Sequence, residues 1–413
     1  MVAPCSRSAT FAPVTNLLTG IRTIKELPID NKRLFVRVDF NVPMEDGVIT
    51  DDLRIREALP TIKHALEREA RVILGSHMGR PKPGKDNSKY SLEACGIRLA
   101  ELLDAEVHMP DDCFGDAAKK VIFDLRGGQV CLLENLRFHP EEEADDEAFA
   151  LKLSEMAEVY VNDAFGAVHR AHASVHRMAK FFRDRGCGFL LEKEIAALSK
   201  VIGQPERPYV AILGGAKVSD KIAVVETLLK VCDTLVIGGA MANTFLAAKG
   251  HNMQASLVEE DKLALARTIL EKAEAAKVHV ELPVDVVVAS STQAEEGQVV
   301  SINAVPPGKM ALDIGPQSIE RFTNCFANTK TIFWNGPMGL FERTPFSNGT
   351  FGVARALASS SAFTVIGGGD SAAAVHAAGG DLAARISHIS TGGGASLELI
   401  EGRKLPGIEV LRG

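Results

Sequence analysis

The sequence has no C-x-x-C pair, no apolar run near the length of a membrane span and no Walker-A spacing, and each absence closes off a class of protein. Its seven cysteines (Cys5, Cys95, Cys113, Cys131, Cys187, Cys232 and Cys325) are scattered and odd in number. That usage fits free thiols in a reducing compartment and supplies no zinc framework. Spanning a bilayer takes about 18 consecutive apolar residues, and no stretch approaches this. An excess of positive charge is also missing: 46 Lys and Arg stand against 53 Asp and Glu, a formal net charge of −7. That balance argues against nucleic acid or an anionic membrane as the main partner, so any anion site must be local. The first 25 residues hold Arg7, Arg22 and Lys25 and no acid, and they lack the apolar core of a signal peptide. Residues 1–20 are therefore expected to form a disordered N-terminal extension, and the chain to be cytoplasmic.

At 413 residues the chain exceeds what one hydrophobic core usually supports, so two domains are expected. The stretch that organises them is Val365-Ile-Gly-Gly-Gly-Asp-Ser-Ala-Ala-Ala-Val375. Phe363–Ile366 reads as the end of a buried strand, and Ser371 onward is Ala-rich and helical. Three glycines between them let the backbone turn with its N–H groups uncovered, at the positive dipole end of the helix. Asp370 adds a carboxylate able to hold a divalent cation on a bound phosphate. A single glycine cluster is as readily a packing device. However, Leu213-Gly-Gly-Ala-Lys217, Ile237-Gly-Gly-Ala240 and Thr391-Gly-Gly-Gly394 repeat it. In an open parallel sheet such turns converge at the carboxyl ends of the strands, so all four are expected to line one nucleotide-sized crevice.

Upstream, short apolar runs alternate with amphipathic stretches, the rhythm of a parallel sheet with crossover helices. Strands are expected at 34–38, 72–75, 130–133 and 159–161. One helix follows Asp51 and Asp52, both natural N-caps, and another covers about 91–104. Residues 141–147 carry six carboxylates in seven positions and read as a solvated helix start. The loops after these strands, or the adjoining helix, carry Arg54, His77, Arg80, Arg137 and Arg170. On successive strand ends they face one crevice and suit a small anion, gripped bidentately by guanidinium groups. Salt bridges to Asp39, Glu134 and Asp163 are the alternative use of the same charges.

Residues 186–203, bracketed by glycines and apolar at 191, 195, 198 and 202, read as a helix and candidate hinge between two sheets. The second sheet starts at Tyr209–Leu213. Ser219 is expected to cap a helix bearing Ile222, Val225 and Leu229, with Lys217 just before it and Lys221 in its first turn, both within reach of phosphate. The stretch 256–277 reads as a sheet-covering helix. Thr331–Trp334 is a strand that breaks at Asn335-Gly-Pro337 and continues to Phe341-Glu342, where Glu342 can accept hydrogen bonds from ribose hydroxyls. Residues 395–401 form a last short helix.

Cationic side chains for an acid in one half, and bare backbone with lysines for a polyphosphate in the other, suit phosphoryl transfer between a small acidic metabolite and a nucleotide. The competing class is an NAD(P)-dependent dehydrogenase with a bilobal Rossmann architecture, because Gly367-Gly-Gly-Asp-Ser-Ala372 matches the loose G-x-G-x-x-A form. That fingerprint wants an acid about twenty residues on, where this chain reads His388-Ile-Ser-Thr391. A non-catalytic nucleotide-binding scaffold is a third reading, and it leaves the second anion site without a purpose.

Eight blocks carry a resemblance: Val36-Arg-Val-Asp-Phe-Asn-Val-Pro43, Ser76-His-Met-Gly-Arg-Pro81, Leu133-Glu-Asn-Leu-Arg-Phe138, His169-Arg-Ala-His172, Leu213-Gly-Gly-Ala-Lys-Val-Ser-Asp-Lys221, Trp334-Asn-Gly-Pro337, Gly367-Gly-Gly-Asp370 and Ser390-Thr-Gly-Gly-Gly394. Together, in order and from about Ile21 to Gly407, they resemble the phosphoglycerate kinases. The resemblance implies an α/β fold of two Rossmann-like lobes with parallel sheets, joined by a helical hinge. It implies a substrate domain over 21–185, a hinge helix at 186–204, a nucleotide-binding domain over 205–395, and a segment 396–413 returning to the first domain. The implied reaction passes the acyl phosphate of 1,3-bisphosphoglycerate to ADP, reversibly and with Mg2+, giving 3-phosphoglycerate and ATP. A monomer is expected.

By the same resemblance His77, Arg80, Arg137 and Arg170 grip the 3-phosphate, while Asp39 and Asn41 orient the glycerate. Lys217, Lys221, Gly238, Asn335, Pro337 and Glu342 line the nucleotide site, with Gly214, Ala216 and Ser371 beside them. Gly368 and Gly369 donate N–H groups to the phosphates, and Asp370 holds the metal. Departures are small: the first twenty residues have no counterpart, Ser371 stands where Thr is also familiar, and Ala167-Val168 replaces Thr-Ala before His169. The nucleophile is a phosphate or an already ionised carboxylate, so no general base is expected. Arg54 and Lys217 are expected to stabilise the transferring phosphoryl, helped by the fixed dipoles of the Gly368–Ser371 helix start.

Overall fold

The runs Leu34–Val36, Val72–Leu74 and Val159–Val161 are fully buried, as Val-, Ile- and Leu-rich strands are when helices cover both faces of a parallel sheet. They lie in a six-stranded sheet ordered Val107–His108, Val130–Leu132, Arg71–Gly75, Arg33–Arg37, Val159–Asn162, Arg185–Cys187. Every pairing in it is parallel. The two edge strands were not expected, because strands so short carry no readable period. The chain is seen here in a computed structural model that describes residues 17–413. The disordered extension expected over residues 1–20 lies largely outside the described residues; residues 17–20 form a turn.

Helix Leu53–Glu67 buries Ile55, Ala58, Thr61, Ile62 and Ala65 against the sheet. Of its two expected caps, Asp51 accepts the Leu53 N–H at 2.8 Å. Asp52 holds the N-cap position without a capping bond. Its oxygens accept instead from Arg56 and Arg98, each at 2.8 Å. The acidic run at 141–147 is not one solvated start. Pro140–Glu143 and Glu147–Ser154 are separate helices, and Glu142 is fully buried.

The second sheet runs His279–Glu281, Thr234–Ile237, Tyr209–Leu213, Thr331–Asn335, Phe363–Gly367, His388–Ile389. Counted along the chain, this is the 3-2-1-4-5-6 order of a doubly wound nucleotide-binding sheet. Between its third and fourth strands the chain makes an unexpected antiparallel sheet of Gln298–Ser301, Asp285–Ala289 and Met310–Ile314. Three local expectations change. Ser219 begins a 3-10 turn, and its hydroxyl donates to Glu259 Oε1 at 2.6 Å rather than capping. The helix expected over 256–277 is shorter, Leu263–Ala275. Beyond Asn335 no strand continues, because Gly336 turns at φ +94° and Pro337 follows.

The chain divides into two compact units. One holds Gly20–Ala196, Gly367–Gly369 and Ser390–Gly413; the other holds Ala197–Ile366 and Asp370–Ile389, with residues 17–19. The boundary falls inside helix Phe189–Ile202, and residues 390–395 lie with the first sheet. The C-terminal residues are tied there. Gly407 N–H donates to Val168 O at 2.9 Å, and Arg185 donates to the carbonyls of Val410 at 2.8 Å and Arg412 at 3.1 Å.

Candidate active site

The central strand Arg33–Arg37 is followed by Val38, whose N–H still bonds Gly75 O at 3.0 Å, so Asp39 and Asn41 emerge beside the loop that follows Arg71–Gly75. Two bonds brace the loops: Phe40 N–H to Ser76 Oγ at 2.8 Å, and Gly79 N–H to Asn41 Oδ1 at 2.8 Å. Arg54, in the first turn of its helix, donates to Asp39 Oδ2 at 2.6 Å. Arg137 arrives on the short turn Leu136–Phe138, its N–H held by Asn135 at 3.0 Å, and donates to Gly79 O at 2.8 Å. Its Nε lies 3.1 Å from Glu143. Arg170 is half-buried and donates Nε to His169 Nε2 at 3.1 Å, while Arg80 is exposed.

A pocket of about 300 Å³ is lined by Asp39, Asn41, Arg54, His77, Arg80, Arg137 and Arg170. All seven residues expected around the acid are thus brought together. Of the three alternative salt bridges, Asp39 pairs with Arg54. Glu134 instead accepts from the Ser91 hydroxyl at 2.7 Å, and Asp163 from the Leu191 N–H at 3.0 Å. Gly392, Gly393 and Gly394 also line this pocket. That corrects the expectation that Thr391–Gly394 would join the other three glycine turns: a repeated turn does not say which sheet it faces. Gly166 and His169 were missed as lining residues, although the close histidines of His169-Arg-Ala-His172 were a usable signal.

Charge in the pocket rests on guanidinium groups. Burial, then Arg37, Arg137 and Arg54, holds His77 well below the usual imidazole range. Burial, then Arg137, Arg37 and Arg170, takes His172 down to about 3. Both rings are therefore neutral at pH 7. Arg137 is itself pulled down to about 10, chiefly by burial, with Glu143 acting the other way.

The second cavity, about 360 Å³, opens where the second sheet reverses its winding, between Tyr209–Leu213 and Thr331–Asn335. The turns there brace one another through Gly214 N–H to Asn335 O at 2.9 Å, Gly215 N–H to Pro337 O at 2.9 Å, and Gly239 N–H to Met338 O at 3.1 Å. A Cβ on Gly214 would strike the carbonyls of Gly336 and Pro337, and Gly239 sits at φ +65° against Gly215, so these positions need glycine. Ala216, Pro337, Glu342 and Asp370 line the cavity as expected. Gly214, Gly238, Asn335 and Ser371 are buried and hold the turns, Ser371 Oγ accepting the Gly336 N–H at 2.6 Å. Lys217 is exposed. Lys221 is half-buried, and burial pushes its ammonium down to about 8 against the pull of Asp370 and Asp220. Gly368, at φ +91°, turns the chain into helix Gly369–Ala377, the expected strand–glycine–helix device. An apolar wall of Leu257, Met310, Leu312 and Leu340 was missed, because much of it comes from the unexpected antiparallel sheet.

Among the described residues one trio could ligate a metal, Asp112, Cys113 and His139. His139 Nε2 already lies 2.7 Å from Asp112 Oδ1, and burial pushes the Cys113 thiol well above its ordinary value. Thiol and imidazole suit softer ions than magnesium. Asp370, exposed at the glycine cavity, offers the hard oxygen magnesium takes alongside phosphate oxygens.

Parallel sheets with anion-binding groups at their strand carboxyl ends define a class, the α/β enzymes that handle phosphorylated and nucleotide ligands. Comparison with known proteins narrows the class. The family model for phosphoglycerate kinase matches residues 24–403. The chain is 58% identical to the phosphoglycerate kinase of Anaeromyxobacter dehalogenans (strain 2CP-C), across 94% of this chain and 99% of that one. It is 53% identical to that of Moorella thermoacetica, across 94% and 98%. The solved phosphoglycerate kinase structure from Coxiella burnetii superposes with a TM-score of 0.86 at 40% identity, covering 95% of this chain and 98% of that one. The chain therefore belongs to the phosphoglycerate kinase family. It is a phosphotransferase of glycolysis that uses ATP or ADP as co-substrate, and the dehydrogenase reading finds no support.

Proposed function

We propose that the guanidinium-lined pocket binds 3-phosphoglycerate or 1,3-bisphosphoglycerate and that the glycine cavity binds ADP or ATP. The observation that carries this is the convergence of four arginines and a neutral histidine from three loops at strand ends and one helix start, in a chain whose net charge is −7. Arg80, Arg137, Arg170 and His77 hold the 3-phosphate, and Asp39 and Asn41 orient the glycerate. Ala216, Pro337 and Glu342 line the nucleoside end, with Gly214, Gly238, Asn335 and Ser371 fixing the turns around it. The apolar wall suits a planar base, and Glu342 accepts from ribose hydroxyls.

Neither direction of transfer removes a proton from the attacking atom, so the site needs cations and amides and no general base. Arg54 and Lys217 neutralise charge on the transferring phosphoryl, Lys221 adds a cation, and Gly368 and Gly369 direct N–H groups at the phosphates. Asp370 would hold a magnesium ion, which when bound neutralises polyphosphate charge. The bound substrates must meet in line with water excluded, and the helix Phe189–Ile202 is kept as the hinge element of the proposal. A cytoplasmic monomer belongs to the same reading, and the free thiols Cys95, Cys113, Cys131 and Cys187 fit the reducing compartment.

A coupled assay with 3-phosphoglycerate and Mg-ATP, run beside NAD and NADP controls, tests it. Turnover is expected only with the nucleoside triphosphate. Turnover confined to a nicotinamide cofactor would overturn the reading.

A further inference from the structure

Arg37 is fully buried at the last position of the central strand, and it does not line the arginine pocket. Its Nε donates to Ser174 Oγ at 2.7 Å, and Ser174 Oγ in turn donates to Glu142 Oε1 at 2.5 Å. The Ser174 N–H donates to Glu142 Oε2 at 2.9 Å, and the Tyr160 hydroxyl donates to Ser174 O at 2.8 Å. Both Glu142 oxygens thus accept, as an ionised carboxylate does, and Oε1 lies 3.8 Å from Arg37 NH2. Burial raises the Glu142 carboxyl above its ordinary value, while Arg37 and the Ser174 hydrogen bonds pull the other way and favour the charge. Arg37 NH1 donates to Val38 O. The remaining nitrogen, NH2, faces His77 Nδ1 at 3.2 Å.

A guanidinium only donates and does not lose its proton. Nδ1 of His77 is therefore the acceptor, and the ring proton sits on Nε2, the nitrogen left for the pocket that His77 lines. Other groups facing His77 do not reverse this. Arg37, Arg54, Arg137 and His172 all disfavour the imidazolium, with burial the largest cause. Asp39 Oδ1 lies 3.8 Å from Nδ1, and its carboxylate is already engaged by Arg54. Without Glu142 the buried guanidinium would lack its counter-charge, and nothing would hold its plane toward His77.

We propose that Glu142 and Ser174 are positioning residues which, through Arg37, lock His77 as a neutral Nε2–H donor toward the bound acid. This rests on reading the pocket as the 3-phosphoglycerate site. A locked donor meets a phosphate or carboxylate oxygen with the same hydrogen throughout the neutral range. A free ring would offer its lone pair to the anion part of the time, which is repulsive.

Two measurements test it. Nitrogen-15 NMR of the wild type, with His77 assigned by comparison with His77→Gln, should show Nδ1 unprotonated and Nε2 protonated, unchanged from about pH 6 to 8. In steady state, Glu142→Gln should raise the KM for 3-phosphoglycerate about tenfold, the loss of one charge-assisted contact, with kcat within about twofold and the KM for Mg-ATP unchanged. Ser174→Ala should move the same way, less far. A merely structural role would lower the active fraction, hence kcat, at constant KM. An unchanged KM in folded Glu142→Gln, or a protonated or titrating Nδ1 in the wild type, overturns the proposal. If Glu142→Gln does not fold, the wild-type spectrum decides. Absent turnover with 3-phosphoglycerate would instead sink the reading of the pocket, leaving the tautomer measurement standing.

Discussion

Arg54 and Asp39 meet at 2.6 Å, joining the first turn of a helix to the loop that leaves the central strand. The Asp39 side chain is 9% exposed and that of Arg54 33%, so the carboxylate anchors one guanidinium nitrogen while the others face the pocket. A cation aimed in advance needs no reorganisation as charge develops on a transferring phosphoryl. Arg54→Ala is expected to lower kcat by about 10³-fold, the scale of a lost charge-stabilising donor. A fall under about tenfold in the coupled assay would remove Arg54 from the catalytic set.

Arg170 differs in its support. Its Nε is spent on His169, leaving the terminal nitrogens for an anion whose contact is alike in ground and transition states. Arg170→Ala should therefore raise the KM for 3-phosphoglycerate by about 10- to 100-fold with kcat little changed. A change seen in kcat alone would contradict that role.

What the sequence made legible follows physical range. Strand Tyr209–Leu213 has the bounds its apolar run indicates, because burial on both faces leaves a continuous signal. The cations at successive strand ends were readable for a related reason: a parallel sheet puts those ends on one side. The buried charges were not. Glu142 sits in a run of acids that reads as solvated, and only tertiary packing against Ser174 and Arg37 singles it out. The glycines of Thr391–Gly394 matched three other turns locally, and the sheet end they serve depends on long-range contacts such as Thr391 N–H to Glu194 at 2.7 Å. The wall that includes Met310 and Leu312 escaped notice because its antiparallel strands sit between elements of a parallel pattern.

Asp370 is exposed at the start of helix Gly369–Ala377 and lines the glycine cavity. Magnesium is usually held by one or two carboxylates and the substrate's phosphates. Asp370→Asn keeps the shape and removes the charge, so half-maximal activity should require roughly tenfold more magnesium at fixed ATP, about one lost charge-assisted ligand. An unchanged magnesium titration would argue against ligation by this residue.

Asp163 is fully buried, accepts the Leu191 N–H at 3.0 Å, and is packed so closely that a Cβ on Gly188 would strike its carboxylate. Burial pushes it up to about 7, against the hydrogen bonds from Thr61, Leu191 and Leu190. The folded value then lies above the unfolded one near 3.9, so from about pH 4 to 7 the fold keeps a proton that the unfolded chain has released. Stability from this group is complete below about pH 4, falls as pH rises through that window, and is lost above about 7. A displacement of that size corresponds to about 4 kcal/mol at most. Asp163→Asn cannot ionise, so its stability relative to wild type should rise between about pH 4 and 8 by up to that amount, measured by urea unfolding at each pH. Because Asp313, also pushed up to about 7 by burial, titrates in both proteins, the difference isolates Asp163. A wild-type-minus-variant difference flat across the range would mean that Asp163 ionises alike in the folded and unfolded chain.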